Sequence, residues 1–173
     1  LKNLETDYID VYQLHNPAFC PVPGGEDGLY DACLEAKEKG LIRHIAITNH
    51  RMAVAEEAVE SGLYELLQYP FNYLISEREI KLAARCKELN IGFVAMKGMS
   101  GGLITRAEVS YAFIDQYDNV LPIWGVQRMT ELQQFLDCGK NPPVYDEEMQ
   151  TYVAKEREEL CGDFCRACGR SSG

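Results

Sequence analysis

The sequence predicts an α/β protein built as part of a (β/α)8 TIM barrel, and three observations carry this prediction. Strand-sized apolar runs bounded by turn residues recur five times, with segments of helical periodicity between them. The strand–helix repeat has a period of roughly 25 residues, which requires crossover connections and therefore a parallel sheet. The Rossmann phosphate fingerprint, which would favour a doubly wound open sheet, is absent, so the barrel is the preferred architecture.

The five apolar runs predict strands at 8–14, 42–47, 66–71, 91–96 and 120–124. The first helix begins at Leu29, where apolar residues recur at i, i+3, i+4 and i+7, and Gly40 ends it. A second helix is predicted at 52–61. Ser76 begins a third, because its hydroxyl can accept a hydrogen bond from an orphan backbone N–H while Glu79 reaches back. Further helices are predicted at 106–117, 129–136 and 146–160.

Two of these helices have predicted buried stripes. The stripe of the third helix consists of Ile80, Ala83 and Ala84, and that of the fifth consists of Leu132, Phe135 and Leu136.

Composition describes an ordinary globular chain with an acidic surface. Of the 173 residues, 46% are hydrophobic and 25% charged, and the net charge is −10. That charge repels phosphates, so we expect neither nucleic acid nor a membrane as partner. No apolar stretch approaches the roughly 18 residues that cross a bilayer. The opening segment lacks the basic start and apolar centre of a secretory signal, so we expect a cytoplasmic protein.

Five strands fall short of the eight that close such a barrel. We therefore expect the C-terminal part of a barrel at 1–141, followed at 142–173 by a C-terminal helix and a cysteine tail. The expected partner is the missing N-terminal half of the barrel. Unpaired apolar strand edges make self-association a further expectation.

Polar side chains gather at the carboxyl ends of the predicted strands, where barrel enzymes place function. His15 ends the first strand in phase with Gln13, and Thr48 and Gln68 lie at the ends of the next two. The segments TDYIDVYQLHNP (6–17), KEKGLIRHIAITNH (37–50), ELLQYPFNYL (65–74), IGFVAMKGMSGG (91–102) and PIWGVQRMTELQQF (122–135) follow one another at barrel spacing. In that order they resemble strand signatures of the aldo/keto reductase family.

The resemblance implies an oxidoreductase that transfers hydride between NADPH or NADH and a small carbonyl substrate. In that family a tyrosine acts as general acid, a lysine and an aspartate tune it, and a histidine orients the carbonyl. Only the histidine has a match in this sequence, at His15. We therefore expect the isolated chain to be inactive. From the residues alone, a purely structural role for His15 remains the alternative.

The resemblance also implies a nicotinamide site. Thr48 and Asn49 match the pair that holds the nicotinamide carboxamide, and Gln68 matches the glutamine that completes it. A buried amide ligand needs both donors and acceptors, which Asn and Gln supply together. On residues alone, Asn49 and Gln68 as strand-end caps remain the alternative. Met96 stands where the family commonly has a tyrosine that stacks on the nicotinamide.

In the family, a segment at the start of a helix binds the adenosine phosphate end of the cofactor. Four residues match this segment, namely Gly125, Gln127, Arg128 and Glu131. The family's usual basic residue falls on Gln127. The choice between NADP and NAD therefore stays open.

Four of the seven cysteines are scattered and predict free or buried thiols: Cys20, Cys33, Cys86 and Cys138. The tail DFCRACG (163–169) resembles the C-terminal appendage of one bacterial branch of the family, where a ferredoxin-like cysteine run binds a 4Fe-4S cluster. Cys165 and Cys168 have the C-x2-C spacing, and Ser171 stands at the third ligand position. We expect a cluster only in a full-length protein, with an uncomplexed thiol pair as the alternative in this chain.

A second function from another class remains open. The chain would then be a non-catalytic nicotinamide-nucleotide-binding or interaction module on a barrel scaffold, since fold does not fix function. An aspartate, a tyrosine and a lysine at upstream strand ends would discriminate in favour of the enzyme. A metal-dependent hydrolase is disfavoured, because His15, His44 and His50 form no ligand cluster in the sequence.

Overall fold

The structure is a computed structural model that describes residues 1–160. Within these residues, five parallel strands form one sheet in chain order: Ile9–His15 (β1), Ile42–Thr48 (β2), Leu66–Pro70 (β3), Gly92–Met96 (β4) and Val120–Pro122 (β5). One α-helix follows each strand, and a sixth follows the fifth: Leu29–Glu38 (α1), Met52–Ser61 (α2), Glu77–Glu88 (α3), Ala107–Asp115 (α4), Met129–Lys140 (α5) and Glu147–Leu160 (α6). The predicted α/β fold is confirmed. No helix among these is long and apolar enough to cross a membrane.

Local sequence signals account for the ends of several elements. Helix α2 has the predicted bounds, and Gly62 follows it in the left-handed conformation. The predicted cap of α3 forms, since the backbone N–H of Ser76 donates to Glu79 Oε2 at 2.9 Å. Pro70, which has no N–H to donate, is the last residue of β3.

The chain forms two compact units, and their boundary runs through β3 and β4. Unit 1 comprises Leu1–Tyr69 and Ala84–Phe93, and unit 2 comprises Pro70–Ala83 and the described residues from 94 to 160.

In unit 1, β2 pairs in parallel with β1 and with β3. Ile45, Ile47 and Leu67 are fully buried on one face of this sheet. Helix α2 buries four aliphatic residues, namely Val54, Ala55, Ala58 and Val59.

Polar contacts of Glu65 hold the start of β3 in place within unit 1. Glu65 forms an ion pair with Lys37 at 2.6 Å and a hydrogen bond with His44 Nδ1 at 2.5 Å. Its backbone N–H donates to Ile45 O at 2.9 Å. Burial would raise the pKa of Glu65, but the hydrogen bonds from Lys37, His44 and the Ile45 N–H outweigh it and lower the pKa to about 2.

Unit 2 has an aromatic core centred on Phe113 of α4. Four rings lie within 5.6 to 6.5 Å of the Phe113 ring, those of Phe71, Tyr73, Tyr117 and Tyr145. Tyr145 precedes α6, and Val153 of α6 is buried. The segment 142–160 is therefore packed into unit 2.

The structure corrects the predicted stripes of two helices. Ala84 is exposed, because the buried face of α3 is centred on Cys86, with Leu82 and Ala83 beside it. In α5 only Phe135 and Cys138 are buried, while Leu132 is 38% and Leu136 50% exposed. The buried stripe of α5 is narrow, and these two leucines lie to one side of it.

The four scattered cysteines are free and buried, as predicted: Cys20, Cys33, Cys86 and Cys138. Burial raises the pKa of each thiol.

Candidate functional site

His15 and Thr48, the last residues of β1 and β2, form one row with Gln68 in the middle of β3. His15 lies opposite Thr48, and Thr48 lies opposite Gln68. Partners in a parallel pair point to the same face of the sheet, so the three side chains share one face. His15 is exposed, Gln68 is half-buried and Thr48 is 3% exposed.

The hydroxyl of Thr48 is buried without a hydrogen-bond partner among residues 1–160. Buried polar groups in proteins are nearly always hydrogen-bonded, because an unpaired group loses its hydrogen bonds to water without replacing them. A hydroxyl can both donate and accept. Thr48 therefore offers an unused donor and acceptor at the end of β2.

Gln13 adds a second group of the same kind. Its Nε2 donates to Gln68 Oε1 at 3.2 Å, and its own Oε1 is buried without a partner in the part of the chain that the structure describes. Gln13 lies on the face of His15, two residues earlier in β1. Sequence reasoning placed Gln13 on this face but did not count it as a binding residue, although a polar side chain on an inward strand face was the available signal.

The side chain of Asn49 forms hydrogen bonds with backbone groups of nearby segments. Its Nδ2 donates to Pro17 O at 2.8 Å, and its Oδ1 accepts from the N–H groups of His50 and Arg51, both at 2.9 Å. Its own N–H donates to Gln68 O at 3.1 Å. Both acceptor sites of the side chain are thus used, and one Nδ2 proton is left over. Asn49 therefore connects the segments that follow β1 and β2 with strand β3 itself.

In unit 2, Met96 is buried at the end of β4, and its carbonyl accepts from Phe71 N at 3.0 Å. Lys97 follows with φ +59°, a left-handed conformation that non-glycine residues seldom adopt. Strained backbone of this kind clusters at binding and catalytic sites.

The carboxylate of Glu131 already lies at the N-terminus of α5. Glu131 Oε2 accepts from the backbone N–H groups of Gln127 at 2.8 Å and Arg128 at 3.2 Å. The hydrogen bond from Gln127 is the main cause that lowers the pKa of Glu131. The backbone of Gly125 is open, with no atom near the position of a Cβ. The predicted phosphate-gripping position therefore presents a carboxylate as well as amide donors.

The predicted metal ligands, Cys165 and Cys168, lie outside the described residues. Residues 1–160 contain no group of three or more His, Cys, Asp or Glu side chains that could hold a metal ion.

The model of the aldo/keto reductase family matches residues 1–112. The chain belongs to this family. This match confirms the family that the sequence segments indicate.

Solved structures of aldo/keto reductases share the fold of the chain. The holo form of aldo-keto reductase AKR11C1 from Bacillus halodurans superposes with a TM-score of 0.71 at 19% identity, covering 90% of this chain and 63% of that one. The apo form gives a TM-score of 0.70 at 18% identity, with 90% and 64% covered. These likenesses confirm the predicted barrel-type architecture.

Two curated relatives of this aldo/keto reductase chain match over part of their length. The uncharacterized oxidoreductase YqkF of Bacillus subtilis is 26% identical over 137 residues, which are 79% of this chain and 44% of that protein. The methylglyoxal reductase DkgB of Salmonella typhi is 39% identical over 59 residues, 34% of this chain and 22% of that protein. The chain thus spans less than half the length of the curated relatives it matches.

Proposed function

We propose that the chain carries the nicotinamide-binding part of an NAD(P)-dependent aldo/keto reductase that acts on a small carbonyl substrate. The observation that carries this proposal is the buried, unpartnered hydroxyl of Thr48, in one row with His15 and Gln68. The relative named as a methylglyoxal reductase supports a small carbonyl compound as the substrate class.

The donor set of unit 1 fits a nicotinamide carboxamide. The ligand presents one carbonyl acceptor and two N–H donors. Thr48 can donate to the carbonyl, and Gln13 Oε1 can accept from an N–H, so both orphaned atoms would gain partners. Gln68 holds Gln13 in place, and the remaining Nδ2 proton of Asn49 is a further donor. When bound, the nicotinamide supplies or accepts the hydride.

His15 has a different role in this proposal. Its ring is exposed at the end of β1, on the same face as Thr48. An exposed imidazole at a strand end suits a group that meets a substrate better than one that completes a core. We assign it the orientation of the substrate carbonyl by a hydrogen bond to oxygen. No residue of this sequence matches the family's tyrosine, lysine and aspartate, so we propose that the 173-residue chain binds nucleotide without turnover.

The N-terminus of α5 favours a nucleotide without a 2′-phosphate. Helix N-termini attract anions, but the carboxylate of Glu131 already accepts from two of the amide groups there. A phosphate would have to displace this carboxylate or bind next to it. We therefore propose NAD as the preferred cofactor, with Arg128 as the nearby cation.

The proposed partner is the complementary N-terminal half of the barrel, and self-association through the unpaired side of β1 is the alternative. We place the protein in the cytoplasm.

Calorimetric titration of the chain with NADH and NADPH tests this function. We expect saturable binding, tighter for NADH, and no oxidation of either nucleotide with an aldehyde panel. A chain that binds neither nucleotide would refute the proposal. Saturable turnover that depends on His15 would refute the proposed inactivity alone.

A further inference from the structure

Three successive backbone carbonyls at the end of β4 are held by hydrogen bonds from other segments of unit 2. Met96 O accepts from the N–H of Phe71 at 3.0 Å, and Lys97 O accepts from Asn72 Nδ2 at 2.9 Å. Gly98 O accepts from Ser110 Oγ at 2.7 Å. The first of these bonds continues the sheet, whereas the other two come from side chains. We call the segment Met96–Lys97–Gly98 the β4 turn.

The β4 turn adopts a conformation that it would not favour by itself. Lys97 is left-handed, with φ +59°. Gly98 packs so closely against the Trp124 ring that a Cβ at this position would collide with it. A non-glycine residue keeps a left-handed conformation only where contacts with the surrounding structure hold it there. The hydrogen bonds from Asn72 and Ser110 are the specific contacts that do so here.

Both side chains are buried and directed to the turn. Ser110, on α4, is fully buried, and its hydroxyl donates to Gly98 O. Asn72 is 6% exposed, and its Oδ1 accepts from Leu74 N at 2.9 Å while its Nδ2 reaches Lys97. A buried amide used in this way fixes the distance between its own loop and the turn.

Helix α6 anchors the loop that carries Asn72. Arg157 Nε donates to Tyr73 O at 2.6 Å, and the Tyr73 hydroxyl donates to Glu156 Oε2 at 2.9 Å. Burial and the hydrogen bond to Glu156 raise the pKa of Tyr73, so the hydroxyl stays protonated and keeps donating at neutral pH. The chain of contacts thus runs from α6 through Tyr73 and Asn72 to Lys97.

We propose that Asn72 and Ser110 are positioning residues, which hold the β4 turn in the conformation that meets the nicotinamide nucleotide. This role rests on the proposed function. It follows from where the contacts lie: they fix the carboxyl end of a strand, the edge at which barrel enzymes bind ligands, in a strained conformation. Holding the carbonyls fixes the directions in which the Met96 and Lys97 side chains leave the backbone, so the nucleotide meets an ordered surface.

The test compares Asn72→Ala and Ser110→Ala with the parent chain in two measurements. Calorimetry gives the Kd for NADH, and hydrogen exchange gives the protection of the amides at residues 97–99. We expect each variant to weaken NADH binding about tenfold and to speed exchange at 97–99, because binding must then order the turn. Ser110→Thr keeps the hydroxyl and should restore tight binding.

Asn119→Ala is the matched control. Asn119 is another asparagine of unit 2, and its Nδ2 also donates to a backbone carbonyl, that of Ala83 at 2.8 Å. Its loss should lower the stability of the fold without changing the Kd for NADH. A weakening by Asn119→Ala equal to that by Asn72→Ala would mean that general destabilisation is responsible, and would overturn the positioning role.

The outcomes separate this role from the proposed function. If the parent chain binds no nucleotide, the proposed function fails and the role fails with it. If the parent binds NADH, and Asn72→Ala and Ser110→Ala bind it equally well, the function stands and the positioning role is wrong.

Discussion

Replacing Thr48 by valine should stabilise the fold and weaken nucleotide binding, two effects of opposite sign. Valine has nearly the shape of threonine, so the substitution exchanges the buried hydroxyl for a methyl group and leaves the packing of β2 in place. The hydroxyl is buried and has no partner among residues 1–160. A buried polar group without a hydrogen bond costs about 1–3 kcal/mol. We therefore expect Thr48→Val to raise the free energy of unfolding by about 1 kcal/mol.

The loss in binding has a separate origin. In the proposed complex the Thr48 hydroxyl makes one hydrogen bond to the nicotinamide carboxamide, and such a bond contributes about 0.5–1.5 kcal/mol. That range corresponds to a Kd about 2- to 13-fold higher for the variant. Urea unfolding followed by circular dichroism measures the first effect, and calorimetric titration with NADH measures the second.

Ser110→Ala is the control for the stability measurement. Its hydroxyl is equally buried but donates to Gly98 O at 2.7 Å. Removal of this donor leaves an unpaired carbonyl, so Ser110→Ala should lower the free energy of unfolding by about 1 kcal/mol or more. If Thr48→Val is destabilised as Ser110→Ala is, and binds NADH as tightly as the parent, then the Thr48 hydroxyl is bonded within the protein and its proposed role in binding is wrong.

Four further substitutions test other parts of the structure. Glu65→Gln should lower stability at pH 7 by about 1 kcal/mol, a figure that allows for solvent screening at a side chain 42% exposed. Because folding lowers the pKa of Glu65 from 4.5 to about 2, its contribution to stability is present above pH 4.5 and is lost as the pH falls toward 2. The difference between the urea midpoints of variant and parent should therefore be smaller at pH 3 than at pH 7. Glu131→Gln should raise the affinity for NADPH relative to NADH by about twofold or more, as measured by calorimetry, since it removes the negative charge at the N-terminus of α5; an unchanged ratio would contradict the proposed NAD preference. His15→Ala should leave the Kd for NADH within about twofold, whereas Gln68→Ala should raise it, because Gln68 holds Gln13 and His15 faces the substrate; equal effects of both changes would contradict the assigned roles.

The order of the strands and helices, and the ends of several of them, can be predicted from the amino-acid sequence alone. Gly62 ends α2, and Ser76 with Glu79 begins α3. These signals act within one turn of the chain, so each can be interpreted without knowledge of the fold. The row of His15, Thr48 and Gln68 also follows from the sequence, because these residues lie at or near the ends of successive strands and parallel strands place their carboxyl ends together.

Contacts between distant segments determine which polar atoms of the site already have hydrogen-bond partners, and these contacts form only on folding. Gln13 meets Gln68 across 55 residues of sequence, and Asn49 meets Pro17 across 32. The unpartnered hydroxyl of Thr48 is defined by what surrounds it, and no pattern in one sequence records that. The same holds for Asn72 and Ser110, whose bonds to the β4 turn depend on segments that come together only on folding. Periodicity and capping are properties of neighbouring residues, whereas the satisfaction of a buried polar group is a property of the whole packed interior.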